Sequence, residues 1–350
     1  MKRQKTVSMF VGIFLVLLSS VFVGASFVSA AGPIELKVAT WNPPPPFPIS
    51  ATAVKWAKMV EEKSGGRVKI TFFWAGGLAS LRDTYRTVQT GVADIGFWLP
   101  GVLPGLHTLN EYSRLPLLGA DSMMTATKVY LEMYKKFPEL RAEFKGLRMI
   151  YASSMPPNQL HFTKAKEIHL PSDMKGIKLI GSASASDFIN STGAVLIFKP
   201  PSDYYMSLQK GLVEGAFQHW PFIDAFKLEE LFVSHTNCGR GGFNLQMMGF
   251  WMNQGVWDKL PPEAQKAFDD SEDWLIHADI DVNEKLIDKA MASAREMGHE
   301  IVDLTPAEKE IWFKESEPIR QKWVEDMEAE GKPGKAVYQE ALKLIKQYNQ

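Results

Sequence analysis

The sequence predicts a two-lobed α/β protein in which each lobe is a mixed sheet flanked by helices, with long helices at the C-terminus. Two stretches alternate short apolar strands with short helices, and the ends of two of those helices echo each other. "ELKVATW" at 35–41 reads as the first strand. Ser50 is expected to cap a helix in which Ala53, Trp56, Ala57 and Val60 recur at i, i+3, i+4 and i+7, ended by Gly65-Gly66. "RVKITFFW" at 67–74 is the next strand. A second helix covers about 80–90 and stops at Gly91, and "ADIGFW" at 93–98 follows. Strand-helix-strand-helix-strand is the grammar of a parallel sheet with helices across its faces.

The grammar returns in "GIKLIG" at 176–181, "SASDFINST" closed by Gly193, "AVLIF" at 194–198 and "SDYYMSLQK" closed by Gly211. The helix ends "VQTGVAD" at 88–94 and "LQKGLVE" at 208–214 both run apolar-Gln-x-Gly-apolar-apolar-acid, at the same point of each unit. Agreement in order, element type and position predicts two related lobes. The first lobe is assigned to 31–153 with a return segment at about 240–256, the second to 154–239, and the helices bracing both to 257–350. "TPAE" at 305–308 supplies a capping Thr, a first-turn Pro and a Glu three residues after the cap; "PPEAQKAF" opens the preceding helix in similar style.

The N-terminus reads as a secretory signal over 1–30. "MKRQK" is followed by no charged residue until Glu35, and the apolar run ends in small residues, "VSAAG". Cleavage near Ala30 or Ala31 removes Lys2, Arg3 and Lys5 and takes the formal charge from −1 to −4. The rival reading, a membrane anchor, lacks a basic flank after the run, and periplasmic export is expected. With 45% hydrophobic and 23% charged residues the composition is ordinary globular material, and no basic surface calls for nucleic acid. A single cysteine, Cys238, excludes an intrachain disulfide and a multi-cysteine metal site.

Nucleotide-binding glycine motifs, a GxSxG elbow and HExxH are absent. "DIDVN" at 279–283 imitates the start of a calcium loop, but the required sixth-position glycine is Glu284 and the twelfth-position acid is Ala290. Neither a catalytic residue nor a metal nor a cofactor is expected. A binding protein needs none of them.

Ligands of open α/β sheets bind outside the carboxyl ends of the strands. In the first lobe those places hold Trp41, Asn42 and the stiff loop "WNPPPPFP" with Phe47, then Trp74 and Trp98. In the second they hold Gly181 to Ser184, the Lys199-Pro200-Pro201 bend, and Gln218, His219 and Trp220. One such tryptophan is ordinarily core; three at successive strand ends favour the wall of an interlobe cleft.

Five stretches then carry a resemblance: "WAKMVEEKSGGRVKI", "VQTGVADIGF", "LPSDMKGIKL", "SLQKGLVEGAF" and "MNQGVWDKLPPEAQKAF". In this order, and across essentially the whole mature chain, they resemble the DctP-type solute-binding proteins of TRAP (tripartite ATP-independent periplasmic) transporters. The resemblance implies a type II-like periplasmic binding protein fold that closes on one small molecule, usually an organic acid, and delivers it to membrane permease subunits. In that family the strand after "KGLK" usually supplies an arginine for the ligand carboxylate, and here Ile180 stands in its place. The second arginine that often precedes "FT" is replaced by Leu160 or His161 in "NQLHFT". An apolar residue cannot neutralise a buried anion, so the solute is expected to be aromatic or amphipathic. Trp41, Phe47, Trp74, Trp98 and Trp220 supply rings for stacking or cation–π contact. Asn42, Ser182, Ser184, Gln218 and His219 supply neutral hydrogen-bonding groups, and His161 or His219 a cation if protonated. Among remaining anion partners Arg240, in "CGRGGFN", ranks ahead of Arg82 and Arg86. An exported sensor that signals to a membrane kinase is the alternative; an exported enzyme lacks its constellation of residues.

Overall fold

The second of the two sheets repeats the strand arrangement of the first and adds one further strand at its edge. In the computed structural model, which describes residues 32–101, 103 and 105–349, the strands are β1 Ile34–Ala39, β2 Val68–Phe73, β3 Ile95–Trp98, β4 Leu147–Ser154, β5 Asn158–Phe162, β6 Lys178–Gly181, β7 Val195–Phe198, β8 Gly215–His219, β9 Ser234–Asn237, β10 Met247–Asn253 and β11 Glu300–Asp303. The first sheet has the order β2-β1-β3-β10-β4 and the second β11-β9-β5-β8-β6-β7. β1 runs parallel to β2 and β3, and β10 lies antiparallel between β3 and β4. Correspondingly, β6 runs parallel to β7 and β8, and β5 lies antiparallel between β8 and β9. The expected signal segment lies outside the described residues.

Helices cover the sheets: α1 Pro48–Lys63, α2 Thr84–Gln89, α3 Met123–Lys136, α4 Pro138–Ala142, α5 Ser186–Ser191, α6 Tyr204–Gln209, α7 Trp220–Ala225, α8 Gln254–Trp257, α9 Pro262–Asp269, α10 Glu272–Glu296, α11 Pro306–Glu315, α12 Glu317–Ala329 and α13 Gly334–Tyr348. The echoed heptapeptides turn out to be one device used twice. Gly91 and Gly211 sit at φ +78° and +68°, the left-handed conformation that stops α2 and α6 and that glycine adopts without a Cβ penalty. The acid three residues on then hooks the chain to the strand that opens its own strand-helix repeat, β1 for Asp94 and β6 for Glu214. The Asp94 amide donates to the Lys37 carbonyl while its carboxylate accepts from the Lys37 N–H at 2.7 Å. Glu214 does the same with Lys178, its carboxylate 3.4 Å from the amide nitrogen.

Two expectations need correction. Ser50 does not cap α1, which begins at Pro48 with Phe47 in the cap position; its hydroxyl donates to the Pro43 carbonyl at 2.6 Å and braces the proline loop. The last ninety residues are not wholly helical, because Glu300–Asp303 forms β11 and pairs in parallel with β9. Four residues between two helices carry too little alternation to announce a strand, and β9 supplies the template. The Thr305 cap is as expected: its hydroxyl accepts from the Glu308 amide at 3.3 Å, and Glu308 accepts from the Thr305 amide at 2.7 Å.

The chain passes between the sheets through 155–157 and returns through 238–246. These segments pair with each other: Met155 N–H donates to Gln246, Asn158 N–H to Asn244 and Phe243 N–H to Asn158, at 2.7, 3.2 and 3.0 Å. Leu36, Val38, Trp56, Phe97, Tyr130 and Phe250 belong to the apolar core at the first sheet, and Leu160, Phe162, Leu179, Phe217, Phe243 and Trp312 to one at the second. Helix α10 packs against α1 and β4 on one side and α7 and β11 on the other, and so spans both.

Buried on α10, Asp279 accepts a 2.5 Å hydrogen bond from the Ser153 hydroxyl near the end of β4. Burial pushes its carboxyl up to about 7, and the Ser153 bond draws it back only in part. An unfolded aspartate titrates near ~3.9, so between those values the folded chain holds a proton that the unfolded chain releases. Stability therefore falls as pH rises from about 4 to about 7. Asp279→Asn is expected to change the urea midpoint little at pH 4 and to stabilise by up to about 4 kcal/mol at pH 8. Equal shifts at both pH values would contradict the buried charge.

Candidate functional site

On the first sheet's side, Trp41 and Trp74 follow β1 and β2 at their carboxyl ends and Phe47 precedes α1; all three are half-buried. Trp74 stacks on Phe72 with centroids 4.5 Å apart, and Trp41 stands 6.0 Å from Phe97. Asn42 is nearly enclosed: its N–H donates to the Thr40 hydroxyl at 3.2 Å and its carbonyl accepts from Ala75, tying two strand ends together. Trp98 is a core residue at 1% exposure, packed with Tyr85, Phe144 and Trp251. The cleft assignment for Trp98 is corrected by strand order. It is the last residue of β3, paired to Gly249 of β10 with β1 on the other side, whereas Trp41 and Trp74 lie beyond their ladders.

On the second sheet's side, Ser182 and Ser184 are exposed after β6, their hydroxyl oxygens 2.9 Å apart. Gln218 at the end of β8 is half-buried, and its side-chain amide donates to the Tyr204 hydroxyl at 3.0 Å. His219 caps α7, with Nδ1 accepting from the Phe222 amide at 3.1 Å. Desolvation lowers its pKa to about 4, so it is neutral at pH 7 and its lone pair is engaged. It is no cation for a solute.

His161, Ile180 and Trp220 also leave the accessible set. Ile180 is fully buried among Tyr204, Leu208, Ala216, Ile223 and Phe232. Trp220 is 1% exposed, its ring 4.8 Å from His161 and 4.6 Å from His235. His161 is fully buried, which lowers its pKa to about 3. Arg240 is not a free anion partner, since its guanidinium pairs with Glu284 at 2.7 Å and with Asp288, both on α10. It borders a cavity of about 400 Å³ along the return segment, together with Leu117, Val129, Lys309 and Phe313. Arg82, just before α2, and Arg86, within it, are exposed and form no ion pair among the described residues.

The accessible candidates thus fall into two sets, Trp41, Phe47 and Trp74 against Ser182, Ser184, Gln218 and His219. Among the described residues no hydrogen bond or ring pair joins one set to the other. Two residues near the second set were missed in the sequence. Phe198 ends β7 with 52% of its surface exposed, and the rule that singled out the other strand ends applies to it equally. Arg114 donates to the Ser184 carbonyl at 2.9 Å and pairs with Glu111 at 2.8 Å. No spacing signals that contact, because 70 residues separate its partners. Among the described residues no group of three or more His, Cys, Asp or Glu side chains is placed to hold a metal.

Paired crossings between two open α/β sheets, with long helices behind, are the fold of the two-lobed periplasmic binding proteins. The chain belongs to the bacterial extracellular solute-binding protein family 7, DctP, whose model matches residues 40–326. A solute-binding protein of Verminephrobacter eiseniae is 25% identical over 257 residues, covering 71% of this chain and 73% of that protein. The crystal structure of a TRAP periplasmic solute-binding protein from Desulfovibrio salexigens, an open complex, superposes with a TM-score of 0.80 at 24% identity, covering 91% and 97% of the two chains. A marine-metagenome TRAP solute-binding protein specific for aromatic acid ligands, solved with 3-hydroxybenzoate, gives a TM-score of 0.80 at 24% identity, covering 91% and 100%. Likeness at this identity establishes the fold. No helix among the described residues is long and apolar enough to cross a membrane.

Proposed function

We propose that the chain is an exported receptor, directed to the periplasm by a cleaved segment 1–30, that captures a small aromatic or amphipathic solute between the two sheets. It delivers that solute to the permease subunits of a TRAP transporter and performs no catalysis. The observation that carries the reading is which side chains remain accessible at the carboxyl ends. Trp41, Phe47, Trp74 and Phe198 offer ring surface, while Ile180 is sealed in an apolar cluster and Arg240 is held by two carboxylates. Ring stacking and apolar burial, at about 25 cal/mol per Å², favour flat or alkylated solutes; a small dicarboxylate has little apolar surface to bury. The aromatic acid bound by the marine-metagenome protein suits such walls.

Calorimetry with 3-hydroxybenzoate, glycine betaine and succinate tests the proposal, after a thermal-shift screen in which a solute at ~100 times its Kd stabilises by about 2.7 kcal/mol. An aromatic acid or betaine is expected to bind at least about tenfold more tightly than succinate. Trp41→Ala or Trp74→Ala should weaken it by roughly 1–3 kcal/mol. Submicromolar succinate binding untouched by either change would refute the proposed cleft chemistry.

A further inference from the structure

Three histidines behind the cleft stand in one hydrogen-bonded row. His161 on β5 and His235 on β9 are cross-strand partners, with their Nδ1 atoms 2.8 Å apart. At the inner end, His161 Nε2 lies 3.0 Å from the carbonyl oxygen of Gln218. At the outer end, His235 Nε2 lies 3.0 Å from Nδ1 of His299, in the turn between α10 and β11. His161 and His235 are buried, His299 is half-exposed, and the Trp220 ring lies against both buried imidazoles.

The row has a direction. A carbonyl oxygen only accepts, so His161 Nε2 carries the proton. Burial keeps both inner rings neutral, which makes His161 Nδ1 a lone pair and obliges His235 Nδ1 to donate to it. The same count makes His235 Nε2 an acceptor and His299 Nδ1 a donor. The nitrogen left to take up a proton is Nε2 of His299. Desolvation lowers the pKa of that ring, and the charged groups nearby are Glu229 and the Asp224–Lys289 pair, with His219 beside the inner end. A cavity of about 10 Å³ touches the outer end, lined by Trp220, Asp224, Glu229, His235 and His299 among others.

We propose that His161, His235 and His299 form a one-way imidazole relay that links the solute-facing end of β8 to a proton-accepting site at the surface. Its role rests on the reading of the cleft given above; its existence does not. His161 anchors the Gln218 carbonyl, while the Gln218 side chain, held by Tyr204, meets the cleft. The three histidines are positioning residues. The other tautomer of His161 would set its Nε2 lone pair against the Gln218 carbonyl and release it, and the other tautomer of His235 would set two lone pairs against each other at His161. A movement of Gln218 on solute binding is therefore coupled to proton affinity at His299, and the coupling is reciprocal. Charging His299 leaves its Nδ1–H donating, so the inner rings keep their tautomers when it does.

Long-range proton–nitrogen correlation spectra of the nitrogen-15-labelled chain, with no solute added, test the relay. His161 is expected as the Nε2–H tautomer, and His235 and His299 as Nδ1–H, with the inner two unchanged from pH 7.5 to pH 5.5. His161→Leu removes the anchor, and the ring nitrogens of His235 should then show averaged shifts of mixed tautomers. His161→Gln, which can donate to Gln218 and accept from His235, should restore one tautomer. His235 as Nε2–H in the unmodified chain, or a single Nδ1–H tautomer persisting in His161→Leu, would overturn the relay. If His161→Leu fails to fold, the unmodified spectrum decides alone. Aromatic solutes that fail to bind would refute the cleft while leaving this result standing.

Discussion

Trp220→Ala is expected to destabilise the protein by roughly 3–5 kcal/mol, the cost of emptying a tryptophan-sized site in a packed interior. The ring is 1% exposed and packs against both His161 and His235, with Ile223, Ala290 and Ala294 bordering the same pocket. Its place at a strand end predicts a contribution to solute affinity; its burial moves the effect to folding. Urea denaturation followed by circular dichroism measures it. Trp41→Ala, at a half-buried site, provides the comparison and should cost much less stability. If Trp220→Ala lost under about 1 kcal/mol while solute affinity fell about tenfold, the core placement of Trp220 would be wrong.

Arg320→Met is expected to lose a similar amount, roughly 3–5 kcal/mol. Arg320 has no exposed surface and lies 4.0 Å from the Phe313 ring centroid. Its guanidinium donates to the Pro116 carbonyl at 3.0 Å, the Phe313 carbonyl at 2.5 Å, the Tyr338 hydroxyl at 3.1 Å and the Glu317 carboxylate at 2.7 Å. Methionine keeps most of the volume but gives none of these acceptors a donor, and each buried polar group left unpaired costs about 1–3 kcal/mol. The contacts join α11, α12 and α13 to Pro116, whose neighbour Leu117 donates to Phe243 in the return segment. Loosening should therefore appear first in the C-terminal helices, as faster limited proteolysis below the melting transition. Lysine, a point charge without the planar fork, should recover only part of the loss. A change below about 1 kcal/mol would mean that water replaces the guanidinium without cost.

The sequence alone settled whatever depends on residues close together in the chain. Short apolar runs marked β1, β2, β3, β6 and β7, the Thr305-to-Glu308 spacing marked a helix start, and the Gly91 and Gly211 heptapeptides marked two equivalent helix stops whose backbone bonds match. The tertiary structure decided which marked residues stay accessible. Trp41, Trp74 and Trp98 look alike along the chain, yet only Trp98 is enclosed, because β10 arrives from about 150 residues away to pair with β3. His161 and Ile180 are sealed in the same way, by neighbours that β5, β6 and β8 share across the second sheet. Arg240 finds its two carboxylates more than 40 residues further on, in α10. Hydrophobic period is local, whereas burial belongs to the order in which distant strands and helices come to rest against one another.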